Sequence, residues 1–328
     1  MKNKINLRLA TQAALEPLRA AGSAPPAVLG LAKAGQLVSM RHDIEGVHFD
    51  SAFVTPYDLG RKTLAVALFE LVGSGVVPRR VQLTTGVNQA TTETFLDEVF
   101  RGFKKVADEF EIELGFGNAF HSPTCFFMSV LTVSDRRPAL PQAKAGDILA
   151  VTGKVGAAAA GLNVLRRFGW PAVKDYSEVV KAHLCPQPPL EMSLALAKAK
   201  SITSMTPGID GASADLHRLC EMTGLGIHLD EASLPVSEET TKVAGLLGSN
   251  PRRWALFGGE DYGMFLTVPA KNWKAVQAKC HKAGTPLTAV GELRPKAYSI
   301  QMQNIEGEKI RLANRSWNPL VRRRISKN

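Results

Sequence analysis

The chain's 328 residues, 45% hydrophobic and 21% charged, have the composition of a globular protein with room for two domains of roughly 150 residues, which excludes a disordered or fibrous chain. A net charge of +10 points to an anionic partner, phosphate esters first; no RNA- or DNA-reading motif accompanies it, and much of it sits in the tail Val321-Arg-Arg-Arg-Ile-Ser-Lys327 and in doublets such as Arg79-Arg80 and Arg252-Arg253, so nucleic acid is excluded. The apolar runs Leu64 to Val72 and Thr124 to Val133 fall far short of the roughly 20 residues that span a bilayer, Met1 to Arg19 lacks the apolar core of a secretory signal, and the four cysteines form no CxxC pair, so a reduced, cytoplasmic protein without a zinc site is expected.

In chain order, Gln36 to Met40 reads as a strand, Leu59 to Gly73 as a mostly apolar helix, and Arg80 to Thr85 as a second strand. Thr92 to Phe110 places Phe95, Val99, Phe103, Val106 and Phe110 at steps of three and four on one helical face, a core-packing pattern. Strands follow at Glu111 to Phe116 and Cys125 to Val133. Arg136 to Ala145 is a linker, and Gly146-Asp-Ile-Leu-Ala-Val-Thr-Gly153 begins a second domain with a strand. Domains are therefore expected at 1–140 and 141–328. Helices are expected at Val155 to Phe168, Leu190 to Lys200, Ala212 to Thr223 and Ser237 to Leu247. Gly224 and Gly226 stop the third of these and turn the chain into a strand. Tyr262 to Val268, Asn272 to Lys282 and Thr288 to Glu292 continue the alternation.

Two segments carry the chemistry: Glu45-Gly-Val-His-Phe49 and, two hundred residues later, Gly258-Gly-Glu-Asp-Tyr262. Paired glycines allow close backbone approach to a ligand, and the adjacent carboxylates Glu260 and Asp261 point to opposite sides of an extended chain. The glycines of Gly153-Lys-Val-Gly-Ala-Ala-Ala-Ala-Gly161 lack the GK[ST] ending of a P-loop and read as a tight lead-in to an Ala-rich packed helix. His121, His183, His217 and His228 show no metal-ligand spacing.

These segments, with Leu59-Gly-Arg-Lys-Thr-Leu-Ala-Val-Ala-Leu68 and Pro186-Gln-Pro188, resemble in order and spacing the framework of the thiamine-monophosphate kinase family, among the aminoimidazole-ribonucleotide synthase-like proteins. The resemblance covers roughly residues 23 to 320. It implies an α/β (α+β) fold of two domains, the first dimerising through its sheet to give a homodimer. It further implies ATP as co-substrate, a phosphorylated small molecule as acceptor, and magnesium held by clustered aspartates.

The chain departs from that pattern at the acidic positions. Ala24 and Pro25 stand where the family has two carboxylates, Met40 and Arg41 where it has T-T-D, and Pro207 where it has the first aspartate of D-I-S-D-G-L. Glu70 lengthens one carboxylate, Asn118 replaces another by an amide, and an expected arginine falls on Leu140. The resemblance then implies metal ligation by Glu70, Asp210 and Asn118, with Asp43 as a displaced replacement, and fewer ions than in the family. Lys62 joins Glu70 and Asp210 in the catalytic set, Gly117, Asn118 and Arg41 take nucleotide, and His48, Glu260 and Trp317 form the acceptor pocket, where an aromatic face suits a cationic ring. Three functions stay open: a phosphotransferase making thiamine diphosphate, a paralogue that binds a phosphorylated ligand without transfer, and a related enzyme on another phosphorylated metabolite.

Overall fold

The computed structural model describes residues 36–136, 140–170, 174–187 and 189–315. Trp317, the Ala24-Pro25 segment and the basic tail lie outside them. A first, four-stranded sheet has the order β1-β4-β2-β3, built from β1 (Gln36–Ile44), β2 (Pro78–Val87), β3 (Glu113–His121) and β4 (Phe127–Arg136). β4 is antiparallel to both β1 and β2, while β3 runs parallel to β2. A parallel neighbour needs a crossover, which α2 (Glu93–Glu109) supplies.

β1 runs four residues beyond the expected Met40, and this matters for the site. Side chains alternate along a strand, so Val38, Met40 and His42 are exposed on one face while Ser39, Arg41 and Asp43 turn to the other. α1 (Pro56–Val72) starts three residues before the expected Leu59, with Thr55 capping the backbone N–H of Asp58 and Pro56 in the first turn. Its stretch from Leu64 to Phe69 is apolar because it is covered on more than one side. Leu64 and Leu68 join the core under the first sheet, whereas Val66 and Phe69 pack with Ala150, Met264 and Leu266 of the second sheet. On α2, Val99, Phe103 and Val106 are buried and Phe95 and Phe110 partly so, as the periodicity predicts.

The second sheet has seven strands in the order β11-β10-β7-β9-β5-β8-β6. They are β5 (Ile148–Thr152), β6 (Ser204–Pro207), β7 (Gly226–Asp230), β8 (Met264–Val268), β9 (Leu287–Arg294), β10 (Ile300–Gln303) and β11 (Lys309–Arg311). Around it lie α3 (Ala157–Phe168), α4 (Ser177–Leu184), α5 (Leu190–Ala199), α6 (Ala212–Thr223), α7 (Glu238–Leu246), α8 (Pro251–Phe257) and α9 (Trp273–Lys282). The sequence reading omitted α4, α8, β6, β10 and β11. Each is short, and β6 ends on Pro207, which an edge strand accommodates. The first core extends across both halves: Ala160, Val164 and Leu165 of α3 and Val180 of α4 pack into it. Among the described residues no helix is long and apolar enough to cross a membrane.

Candidate functional site

The inward face of β1 and α1, from Lys62 to Glu70, form one wall of the site. Arg41 Nε lies 3.3 Å from Asp43 Oδ1, and its Nη1 lies 3.9 Å from Glu70 Oε1. Ser39, one strand period before Arg41, donates a short hydrogen bond to Glu70 Oε2. Burial pushes the Glu70 carboxyl up, and the Ser39 hydroxyl and the Arg41 guanidinium pull it back. His48, in the turn after β1, accepts the Ile44 backbone N–H on Nδ1 at 3.1 Å, which puts the proton of the neutral ring on Nε2. Burial holds its pKa below the usual histidine value.

The opposite wall is the loop between α8 and β8. Glu260 and Tyr262 both adopt positive φ, 61° and 51°, a conformation uncommon for residues with a Cβ and one that signals a functional constraint. The loop is held by backbone bonds to the segment after β6: Glu260 N–H donates to Ile209 O at 2.7 Å and Tyr262 N–H to Gly208 O at 3.0 Å. As expected for adjacent side chains, the two carboxylates diverge. Glu260 crosses to the first wall, where Lys62 Nζ of α1 lies 3.1 Å away, and also meets His183 Nδ1 of α4 at 3.3 Å. Burial pushes the Glu260 carboxyl up, but Lys62 and His183 outweigh it and hold the group well below the usual carboxylate range. Burial first, then Lys62, keeps His183 below its ordinary value, so it is neutral at neutral pH.

Asp261 turns the other way, into the N-terminus of α3. It accepts from the backbone N–H of Gly156 at 2.6 Å and of Ala158 at 3.0 Å. The glycine-rich lead-in is therefore filled by a carboxylate of the chain itself, which satisfies the free N–H groups of the first turn and confirms a packed helix start. Burial pushes this carboxyl up to about 7 against the pull of its N–H donors. A folded pKa raised above the unfolded value near 4 gives stability that is full below pH 4 and lost as pH rises through 7. Asp261→Ala is expected to cost about 2 kcal/mol from the hydrogen bonds lost at the helix start. It should also flatten the fall in unfolding free energy between pH 4 and 7, as urea titrations across that range would read.

The third contribution comes from the turn between β6 and α6. Arg218 of α6 pairs with Asp210 Oδ2 at 2.5 Å and with Asp215 Oδ1 at 3.1 Å. Asp215 is fully buried, which pushes its carboxyl up to about 7, and the same Oδ1 accepts from Asp210 N–H at 3.3 Å. Asp210 and Arg218 both act electrostatically on Glu70, and Glu260 acts on Arg41 and His48, so all three contributions form one connected cluster.

Family models for AIR synthase related proteins match residues 24–133 (N-terminal domain) and 144–302 (C-terminal domain). Over 257 residues, 76% of each chain, the sequence is 31% identical to the thiamine-monophosphate kinase of Escherichia coli O157:H7. The chain belongs to the thiamine-monophosphate kinase family. It is also 26% identical to the Bacillus subtilis (strain 168) enzyme of that name over 309 residues, covering 90% of this chain and 92% of the relative. The crystal structure of the Stenotrophomonas maltophilia K279a enzyme of that name superposes with a TM-score of 0.75 at 26% identity, covering 92% of this chain and 97% of that one.

Of the site residues that the family resemblance implies, Arg41, Asp43, His48, Lys62, Glu70, Asp210 and Glu260 fall in the one cluster. Gly117 and Asn118 do not join it. They sit on β3, at the edge of the first sheet opposite β1, three strand spacings or about 14 Å away. The Asn118 amide oxygen accepts from the N–H of Ala119 on its own strand. Gly117 has a packing reason to be glycine, since a Cβ there would stand 2.1 Å from Thr84 Oγ1. Arg218, Asp215, His183, Ser39 and Tyr262 belong to the site and were missed. Only the Asp215–Arg218 pair carried a signal, the i,i+3 spacing on a helix.

Magnesium, which the family resemblance implies, does not fit these donors. Among the described residues no group of three or more His, Cys, Asp or Glu side chains is arranged to hold a metal ion. Each carboxylate of the cluster is already matched by a cation of the chain: Asp43 and Glu70 by Arg41, Glu260 by Lys62, Asp210 by Arg218. A divalent ion needs several free, hard oxygen ligands, and these are committed elsewhere.

Proposed function

We propose that this chain is a thiamine-monophosphate kinase-type phosphotransferase, converting thiamine monophosphate and ATP to thiamine diphosphate and ADP in the cleft between its two sheets. The observation that carries the reading is the convergence of residues from β1, α1, the β6–α6 turn and the α8–β8 loop on one charged cluster, in a member of this family. Phosphoryl transfer is mostly positioning and charge neutralisation. An oxygen of the acceptor phosphate attacks the γ-phosphorus of ATP, the bond from that phosphorus to the β-bridging oxygen breaks, and ADP leaves. No side-chain nucleophile is needed. Arg41, Lys62 and Arg218 offer positive charge to the phosphates, while His48, Glu260 and Trp317 are assigned to the acceptor.

The test is direct. ADP and thiamine diphosphate, followed together by chromatography, are expected from ATP and thiamine monophosphate. His48→Ala should raise KM for the acceptor about tenfold, as loss of one hydrogen bond does, with a smaller change in the KM for ATP. The pairing of every cluster carboxylate favours a second reading, a paralogue that binds both ligands without transfer. Saturable binding of both ligands in calorimetry with no ADP formed would establish that reading and overturn the kinase.

A further inference from the structure

We propose that the Arg41 guanidinium occupies the cation position of this cleft, so that Asp43, Glu70 and Glu260 surround a side chain of the protein in place of a divalent ion. The inference deepens the reading of the cleft as a phosphate site and rests on it for its consequence, nucleotide binding without magnesium.

Arg41 has the surroundings of a bound cation. Its side chain is only 14% exposed, it contacts Asp43 and Glu70 directly, and Glu260 from the opposite wall faces it electrostatically. The guanidinium stays protonated even when buried, and the acidic neighbours compensate its desolvated charge. The strand period fixes this arrangement. Ser39, Arg41 and Asp43 share the inward face of β1, so an arginine at the central position projects between the carboxylates two residues on and across on α1. A divalent ion placed against the same carboxylates would meet the guanidinium at contact range and be repelled. Arg218 repeats the device on the other half of the cluster, bridging Asp210 and Asp215. A guanidinium keeps a further capacity that a saturated metal site lacks. It has five donors, and Arg41 turns Nε to Asp43 and Nη1 to Glu70, so the planar group can hold carboxylates on one edge and a phosphate on another.

Two measurements on the full chain test this. In the first, Mn2+ binding is followed by electron paramagnetic resonance and by the Mn2+ dependence of the melting temperature, without nucleotide. Arg41→Gln should bind Mn2+ at least about tenfold more tightly than the unmodified chain, because the Asp43 and Glu70 carboxylates become free to act as ligands. Adding Glu70→Gln to that variant should remove the gain. Mn2+ binding by the unmodified chain that Arg41→Gln does not improve would overturn the proposal, as would binding that Glu70→Gln alone weakens. The second measurement needs no variant and therefore survives a folding failure of Arg41→Gln. The affinity for ATP in excess EDTA should lie within about threefold of that in excess magnesium, whereas a magnesium-bridged site would lose tenfold or more. Loss of binding only in EDTA overturns the cation assignment and leaves the kinase reading standing. No ATP binding in either condition overturns the kinase reading, and the Mn2+ result then decides the cation assignment alone.

Discussion

Alanine at Gly60 is expected to destabilise the fold by about 3 kcal/mol or more, against an ordinary total of 5–15 kcal/mol. Gly60 lies in α1 where the helix crosses α2, and a Cβ there would stand 1.8 Å from the carbonyl oxygen of Val99 and 2.9 Å from the backbone nitrogen of Phe103. The contact is reciprocal: a Cβ on Gly102 of α2 would stand 1.9 Å from the carbonyl oxygen of Tyr57. Both obstacles are backbone, so no rotamer change relieves them and the helices must separate. Alanine gains about 1 kcal/mol of helix propensity over glycine, too little to offset that separation. Gly245 supplies the control. It sits in α7 with nothing within 4 Å of a built Cβ, and Gly245→Ala should stabilise by about 0.5–1 kcal/mol. Urea midpoints of the two variants should move in opposite directions. If Gly60→Ala keeps the native midpoint, the close crossing of α1 and α2 is wrong.

The same crossing separates what the sequence discloses from what it conceals. The α2 stripe was readable because core packing writes a 3.6-residue period into the side chains, and Val99, Phe103 and Val106 are where that period puts them. The reason for Gly60 was not, because it lies in the backbone of a helix contacted only after folding. The site divides in the same way. His48, Glu70, Asp210 and Glu260 were found by the order and spacing of short segments, and they do converge. Arg218 and His183 answer to no such segment; His183 is defined by a partner reached through the fold, as Lys62 and Glu260 are, 198 residues apart. Asp43 was read as displaced by two positions. Two positions is one strand period, which returns Asp43 to the face of Arg41 once β1 extends to Ile44. Asn118 stands apart from the cluster because strand order, invisible in local sequence, sets β3 at the far edge of the sheet.

Lys62→Met is expected to destabilise the protein by about 2–3 kcal/mol at pH 8, at or below the roughly 3–5 kcal/mol of breaking a fully buried pair, since Lys62 and Glu260 are 10% and 28% exposed. The loss should shrink on acidification. Glu260 keeps His183 at 3.3 Å, and that ring is held neutral by burial and by Lys62 itself. With Lys62 gone, one of the two causes of the low pKa is removed while the Glu260 carboxylate remains, so the His183 pKa rises. A histidine whose folded pKa moves above its unfolded value near 6.5 contributes stability that is present below that value and lost as pH rises through the folded pKa. The Lys62→Met deficit should therefore be about 1 kcal/mol smaller at pH 5.5 than at pH 8. Adding Glu260→Gln should recover much of the pH 8 loss, because no carboxylate then remains uncompensated, and a double-mutant cycle measures that coupling. A deficit equal at both pH values would show that His183 does not share Glu260. The cycle also bears on ligand choice. On the proposed kinase reading Lys62 serves either Glu260 or a phosphate, so Glu260→Gln alone should release it and tighten ATP binding severalfold while weakening the cationic acceptor, a divergence that a purely structural ion pair would not produce.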